Sequence, residues 1–408
     1  MVSHPHGGAV SVASAAALER QGRLTLYASG AVAAADSAAA GLLARLARRG
    51  RPVLWNRILK GIEPRHVRAL APVELAARLV GQLGGGLGLG RPLLYDALFT
   101  FHDAAVAALP WPRDLDAIYA YEDGALLTFR RAARRPSIVR IWDLPLPHHA
   151  TLARIWREQH QRWPGAMGSA PHVEPEWKRR RKDQELALAD VVSVASRFAK
   201  RSVEELGVER RVVVAPYGFP VEAFAPKVVP APGPFTVLAV GTHDLRKGTP
   251  YLLEAWRLAG LRDARLRLVG PLRLDPTFVR RYQGLFEHVP HLPKHQLAGE
   301  YQAADLLAFP TLGDGFGLVI QEAMCCATPV VTTTCGGGPE CIDDGVDGWL
   351  VEAASVDALV ERLRAAAADR SATFAVGQAA RRRAERSTWR EAGAAFVAAL
   401  AAAVDGAG

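Results

Sequence analysis

The stretch Pro310-Thr-Leu-Gly-Asp-Gly-Phe-Gly-Leu-Val-Ile-Gln-Glu322 sets two carboxylates among closely spaced glycines. A strand-like apolar run ends near Pro310 and a helix-like run begins near Gly317, so the glycines fall in a turn. Gly315 and Gly317 let backbone pass close to a ligand. A helix starting there presents unpaired N–H groups and the positive end of its dipole, a seat for phosphate. Asp314 lies in the turn. Glu322 lies inside the helix, where side chains lean back toward the N-terminus. Ionised carboxylates only accept hydrogen bonds, so this pair suits hydroxyl-rich partners such as a ribose and a sugar.

A second cluster, Val240-Gly-Thr-His-Asp-Leu-Arg-Lys-Gly248, also follows a strand-like run. Thr249 suits a helix N-cap and Pro250 a first helical position. Arg246 and Lys247 therefore stand just before a helix, where cations can clamp a diphosphate and stabilise it as it leaves. Gly336-Gly-Gly-Pro-Glu340 is a weaker third signal. At the chain start, His4-Pro-His-Gly-Gly8 follows a short strand, and Gly8 could approach a phosphate from the other half.

These loops need a scaffold. In the second half, β-branched runs recur at 236–240, 265–269, 288–292, 305–310, 329–334 and 349–351, with helical segments at 251–259, 296–304, 319–327 and 356–367. Alternating strand and helix implies a parallel sheet covered on both faces, with ligands bound beyond the strands' carboxyl ends. The first half has a looser rhythm: strands at 24–28, 65–70, 116–121, 138–142, 191–195 and 212–216, helices at 9–20, 73–83 and 149–160, and a glycine-rich loop at 84–90. The boundary falls in the proline- and valine-rich 224–234. The division is 1–223, 224–386, and a C-terminal helical segment 387–408 that could pack back on the first domain.

A chain of 408 residues exceeds one comfortable core, and half of it is apolar. The net charge of +9 suits anionic partners without choosing among them. Cys325, Cys326, Cys335 and Cys341 form no CxxC pair, which suits reduced thiols. The start has no signal-peptide pattern, and apolar runs such as 392–404 fall short of the roughly 20 residues that span a bilayer. The expectation is a cytoplasmic protein, with peripheral contact at the inner face of the membrane as an option. No dinucleotide fingerprint occurs, and nucleic acid lacks a recognition motif.

Taken in order, these pieces resemble the donor domain of the family 4 glycosyltransferases, the group 1 glycosyl transferase domain. They are Gly241…Arg246-Lys247-Gly248, Ala304-Asp305, Asp314-Gly-Phe-Gly-Leu318 through Glu322, Thr328-Pro-Val-Val331, Gly336-Gly337…Glu340 and Asp347-Gly-Trp-Leu350. The first half is similar chiefly through Leu188-Ala-Asp190…Ser196 and Ala215-Pro-Tyr-Gly218. The resemblance implies an α/β protein of the GT-B fold: two Rossmann-like domains whose parallel sheets face an interdomain cleft. It implies a retaining transfer from a nucleotide-sugar donor, without a metal or other cofactor. Lys247 and Arg246 would hold the diphosphate, Glu322 the ribose, and Asp314 with Gly315, Phe316, Gly317 and Leu318 the sugar and phosphate.

Three positions depart from the family pattern. Thr242 replaces an arginine, Asp314 is one methylene shorter than the usual glutamate, and Trp142 stands where a histidine is common. Glu122, Asp123 and Asp143, at the ends of nearby strands, are candidates to orient the acceptor. The basic run Trp177-Lys-Arg-Arg-Arg-Lys182, in a helix, could be a solvated face or could touch anionic lipid and suit a lipid-linked acceptor. A carbohydrate or polysaccharide acceptor is the other option. The alternatives to transfer are a nucleotide-sugar 2-epimerase and a catalytically degenerate nucleotide-sugar-binding protein.

Overall fold

The structure is a computed structural model and describes residues 1–48, 57–83, 90–167 and 174–406. The first half supplies β1 (Val2–His4), β2 (Tyr27–Ser29), β3 (Ala33–Ala34), β4 (Ile58–Leu59), β5 (Val67–Ala69), β6 (Ala117–Tyr121), β7 (Val139–Leu144), β8 (Val191–Val194) and β9 (Arg211–Val214). The second supplies β10 (Phe235–Val240), β11 (Ala264–Val269), β12 (Glu287–Val289), β13 (Leu306–Phe309), β14 (Val330–Thr332) and β15 (Trp349–Leu350).

Seven strands form one sheet in the order β5-β2-β1-β6-β7-β8-β9, and six form another in the order β12-β11-β10-β13-β14-β15. All their pairings are parallel, and β3 and β4 pair with each other. In both sheets the chain builds outward from the first strand, returns, and builds the other way. That is the doubly wound Rossmann arrangement, with crevices at β1/β6 and β10/β13. β8, β10 and β13 are buried along their whole length, as parallel strands covered by helices on both faces must be.

Two helical segments cross between the halves. The His149–Arg162 helix belongs to the first sheet's connections, yet Ile155 and Trp156 pack into the core of the second half, and Tyr251 Oη donates to Gln159 at 2.6 Å. The Arg370–Arg386 helix covers the second sheet through Gly377, which lies against Ala327. The Trp389–Asp405 helix returns to the first half. Its Gly393 meets Ala17, and Phe396 packs edge-on to Tyr119 at 5.5 Å between centroids.

The strand pattern read from the sequence recurs with shifted ends. β2 begins at Tyr27 instead of Leu24. Asp305 lies before β13 because its carboxylate receives Thr236 N and pairs with Arg370. The Gly90–Ala108 helix was not foreseen, and Gly90 starts it instead of ending a loop. The rest of that expected glycine-rich loop, 84–89, lies outside the described residues. The Gly90–Ala108 segment carries apolar residues all along its length, so its periodicity is weak.

The chain passes from the first half to the second near Gly218 and back near Trp389, and there the two stretches run side by side, with Phe219 N donating to Ser387 O at 2.9 Å. A Cβ at Gly218 would collide with the Trp389 backbone, whereas one at Gly299 would meet nothing. Gly218→Ala should therefore destabilise the chain by about 1–3 kcal/mol through overpacking. Gly299→Ala, inside the Lys294–Ala303 helix, should be neutral or mildly stabilising. Paired thermal melts check the contrast.

Candidate active site

The crevice between β10 and β13 is formed by the loops 241–248 and 310–317, held together at several points. Leu312 N donates to Arg246 O at 2.8 Å, and Arg246 Nη1 donates to Gly313 O at 2.6 Å. Gly248 takes φ 70°, and its Cα lies so close to the Pro310 carbonyl that no side chain fits. Lys247 N donates to Asp244 Oδ1 at 2.8 Å. The Lys247 ammonium pairs with the Asp314 carboxylate and stands 4.7 Å from the centre of the Phe309 ring.

Asp314 is buried, and its Oδ1 accepts from Gly315 N at 2.9 Å. Burial alone would raise its pKa, but Lys247 and Arg246 outweigh that and hold it below the ordinary carboxylate value. The group is thus an anion at neutral pH. Asp314 N donates to Cys335 O at 2.9 Å and Gly337 N to Phe316 O at 2.8 Å, so the Gly336–Glu340 loop joins the same assembly. The Leu318–Cys325 helix begins at Gly317 with no side-chain cap. Glu322, on that helix, is buried and accepts from Tyr301 Oη at 2.8 Å. Gly315, Phe316 and Gly317 are buried, and Leu318 is exposed.

The first half closes over this turn. Ser196 Oγ donates to Gly315 O at 2.6 Å, and Arg197 donates from N and Nε to Glu340 Oε1 at 2.9 and 3.0 Å. The Gly315 Cα faces the Pro145 carbonyl with no room for a Cβ. The carboxyl ends of the two sheets therefore meet at Gly315. Ser196, Arg197 and Tyr301 were not singled out as site residues from the sequence; only the helix-cap position of Ser196 gives a local signal.

Several residues expected in the site make internal contacts. Arg246 donates from Nη1 to the Gly313 carbonyl, which ties the two loops together. Trp142 is fully buried and donates to Glu185 Oε2 at 3.1 Å. Gly8 lies against His4 and His6 and opens onto a cavity lined by His6, Arg57, Lys60 and Trp389, away from the donor loops.

The acceptor-side candidates are drawn into internal contacts. Glu122 is buried 3.3 Å from Lys182, and burial pushes its pKa up to about 8 against the pull of that lysine. Asp143 accepts from Tyr119 Oη and lines a small enclosed cavity with Ser14, Ser193 and Tyr217. Four of the five cations in 178–182 are drawn into ion pairs. Lys178 pairs with Asp96 and Asp123, Arg181 with Asp103 and Glu185, Lys182 with Glu122 and Glu174, and Arg180 with Glu176.

The family described as "Glycosyl transferases group 1" matches residues 234–369, the segment that carries every donor-side loop. A D-inositol 3-phosphate glycosyltransferase from Arthrobacter sp. (strain FB24) is 30% identical over 292 residues, 65% of this chain and 67% of that one. Its counterpart from Xylanimonas cellulosilytica is 29% identical over 283 residues, 63% of this chain and 66% of that one. The chain spans about two thirds of the length of these relatives. The chain belongs to the group 1 glycosyltransferases.

Solved structures agree on the fold of this group 1 transferase. Sucrose-phosphate synthase from Thermosynechococcus elongatus superposes with a TM-score of 0.65 at 20% identity, over 100% of this chain and 99% of that one. Anabaena HepE, solved in complex with UDP and glucose, superposes with 0.61 at 18% identity over 98% of each. The architecture is GT-B.

Within the transferase, Asp143 has a stability consequence. It is wholly buried, its Oδ1 lacks a partner, and burial raises its pKa from 3.8 to about 7. The folded state keeps this proton at a pH where the unfolded chain has lost it. The contribution is therefore full below 3.8 and is lost as pH rises through about 7. Asp143→Asn, which keeps an acceptor for Tyr119, should flatten the fall in stability across that window and should stabilise the protein above it. Urea midpoints measured against pH for both forms test this.

Proposed function

We propose that this group 1 transferase moves a sugar from a nucleotide-sugar donor with retention of anomeric configuration. The observation that carries the reading is the contact of Lys247 with Asp314 beside the uncapped start of the Leu318–Cys325 helix. A diphosphate at that helix mouth meets backbone N–H groups and a lysine together. Asp314, held ionised, accepts from hydroxyls of the transferred sugar, and Glu322 accepts from the ribose. Arg246 acts as a positioning residue through Gly313. In the reaction the bond from anomeric carbon to phosphate oxygen breaks, and the acceptor oxygen bonds to that carbon from the same face. The leaving diphosphate takes the acceptor proton, and the lysine and helix dipole stabilise its charge. The loops pack against Pro145 and Ser196, so donor binding requires the two domains to part at Gly315.

The acceptor belongs on the first domain. Its cavity of about 700 Å³ joins Gly8, at the start of the Ala9–Arg20 helix, to Arg57, Lys60 and Trp389. Arg57 is already paired with Glu74 at 2.7 Å, so Lys60 and the helix start are what suit an acceptor that carries phosphate, and the aromatic ring suits the face of a polyol. The name of the relatives, D-inositol 3-phosphate glycosyltransferase, agrees with that class. Lys178, Arg181 and Lys182 of the basic run are paired internally, which weakens the support for a lipid-linked acceptor.

Loss of a charge-assisted contact costs about 1.5–3 kcal/mol, so Lys247→Ala and Glu322→Ala should each weaken donor binding about tenfold or more. A thermal-shift screen with UDP-, GDP- and ADP-sugars identifies the donor, and titration of the variants measures the loss. Unchanged affinity in both variants would overturn the donor site. Proton NMR of the product linkage reads the anomeric outcome, and inversion would overturn the stereochemical reading.

For the acceptor, Lys60→Ala should raise the KM for a phosphorylated polyol about tenfold while leaving kcat nearly unchanged. Equal KM values for phosphorylated and neutral acceptors in the unmodified enzyme would remove the anionic class.

A further inference from the structure

Apart from the donor loops, His148, His149 and Asp183 bring three ligand atoms within 4.8 Å of one another. His149 Nε2 lies 2.7 Å from Asp183 Oδ1, and His148 Nε2 lies 3.5 Å from the same oxygen. The two rings lie face toward face at 4.1 Å between centroids, tilted by 39°. His148 is 2% exposed, and its Nε2 makes no hydrogen bond. Buried side-chain nitrogens without a partner are rare in folded proteins, and an ion is one of the few groups that satisfies them.

We propose that His148, His149 and Asp183 form a binding site for a divalent transition metal of the zinc class, with water completing the coordination. Zinc bonds to imidazole nitrogen and carboxylate oxygen are about 2.0–2.2 Å, so two ligands of a tetrahedral ion stand roughly 3.3 Å apart. The His148–Asp183 separation of 3.5 Å is already close to this. The His149–Asp183 pair must open by roughly 0.6 Å to reach it, and the Asp183 side chain is 55% exposed and can turn. Two imidazoles and one carboxylate favour zinc, cobalt or nickel over magnesium or calcium, which take oxygen ligands.

Two features oppose the ion. His148 Nδ1 accepts from Ala150 N at 3.3 Å, and metal on Nε2 would place a proton on Nδ1 and end that long contact. The start of the His149–Arg162 helix also repels a cation. Lys182, next to Asp183, is already matched by Glu122 and Glu174, so its charge is not left facing the ion alone. Against these stand direct bonds to three ligands, one of them anionic.

His148 ends the loop after β7, His149 opens the His149–Arg162 helix, and Asp183 lies on the Glu176–Leu188 helix. Pro145 of the same loop lies against Gly315. An ion here would tie the loop that backs the donor turn to the helix carrying the first domain's ion pairs. The site uses none of the residues of the donor loops and does not rest on the donor assignment.

The test uses the full chain, stripped with a chelator and titrated with zinc in competition with a chromophoric chelator. The chain should take up one equivalent, and zinc should raise its melting temperature. His149→Ala and Asp183→Asn should each weaken binding at least tenfold and abolish the shift. His66→Ala, in the separate Glu19, Glu63 and His66 group, should behave as the unmodified chain. Because Asp183 is exposed, Asp183→Asn keeps the test decisive even where a His148 variant fails to fold. No zinc uptake by the unmodified chain overturns the proposal, as does equal affinity or an equal melting shift in Asp183→Asn.

Discussion

The Lys247–Asp314 ion pair stands where the strand order of the second sheet reverses, and the donor-side loops depend on it. β10 and β13 are neighbours, but their following helices belong to opposite directions of sheet growth, so the loops leaving them diverge. Divergent loops make a crevice but do not hold its walls at fixed separation. Here the Arg246 carbonyl and guanidinium reach Leu312 and Gly313, and Lys247 reaches Asp314. A carboxylate as buried as Asp314 is tolerable only beside a cation, and a lysine over the Phe309 ring is steadied by that carboxylate. Each charge makes the other affordable in a place that a third, ligand-borne charge could share.

The seam between the domains adds a steric constraint. The donor turn meets the first half through backbone, at Gly315 against Pro145, and a serine hydroxyl completes the contact. Backbone packed this closely leaves no slack, so a ligand that enters between the loops has to move whole domains rather than single side chains. The chain crosses twice between the halves, near Gly218 and near Trp389, and these crossings lie against each other. The Trp389–Asp405 helix then lays Phe396, Val397 and Leu400 into the first half's core.

Much of the second half was legible because its signals are local. β10 and β13 are continuous apolar runs, and the turn at 313–317 announces itself through glycine spacing before a helix. The first half was read less well, for a physical reason. Alternation in β7 tells that Trp142 and Asp143 face opposite ways, but not which of them faces the cleft. Both are internal: Trp142 meets Glu185, and Asp143 meets Tyr119. The partners of Glu122 and of the 177–182 run lie about 50 to 80 positions away in the sequence or on an adjacent turn, and no local pattern displays such pairing. Arg197 and Glu340, 143 positions apart, are hidden for the same reason.

The same pairing decides how far the net charge of +9 can be used. Composition counts every cation, but a ligand meets only those whose charge is not already matched. Lys178, Arg181 and Lys182 stand in a half-buried lattice with Asp96, Asp103, Glu122, Asp123, Glu174 and Glu185, where acidic groups outnumber basic ones. Such a lattice fixes the β6 loop, since Glu185 also accepts from Asp123 N and Ala125 N. It offers little field to a membrane surface. Lys60, by contrast, is exposed on the rim of a cavity with a helix start beside it. A small anion placed there would gain from both, which is why the proposed acceptor class rests on unmatched groups at a crevice and not on the overall charge.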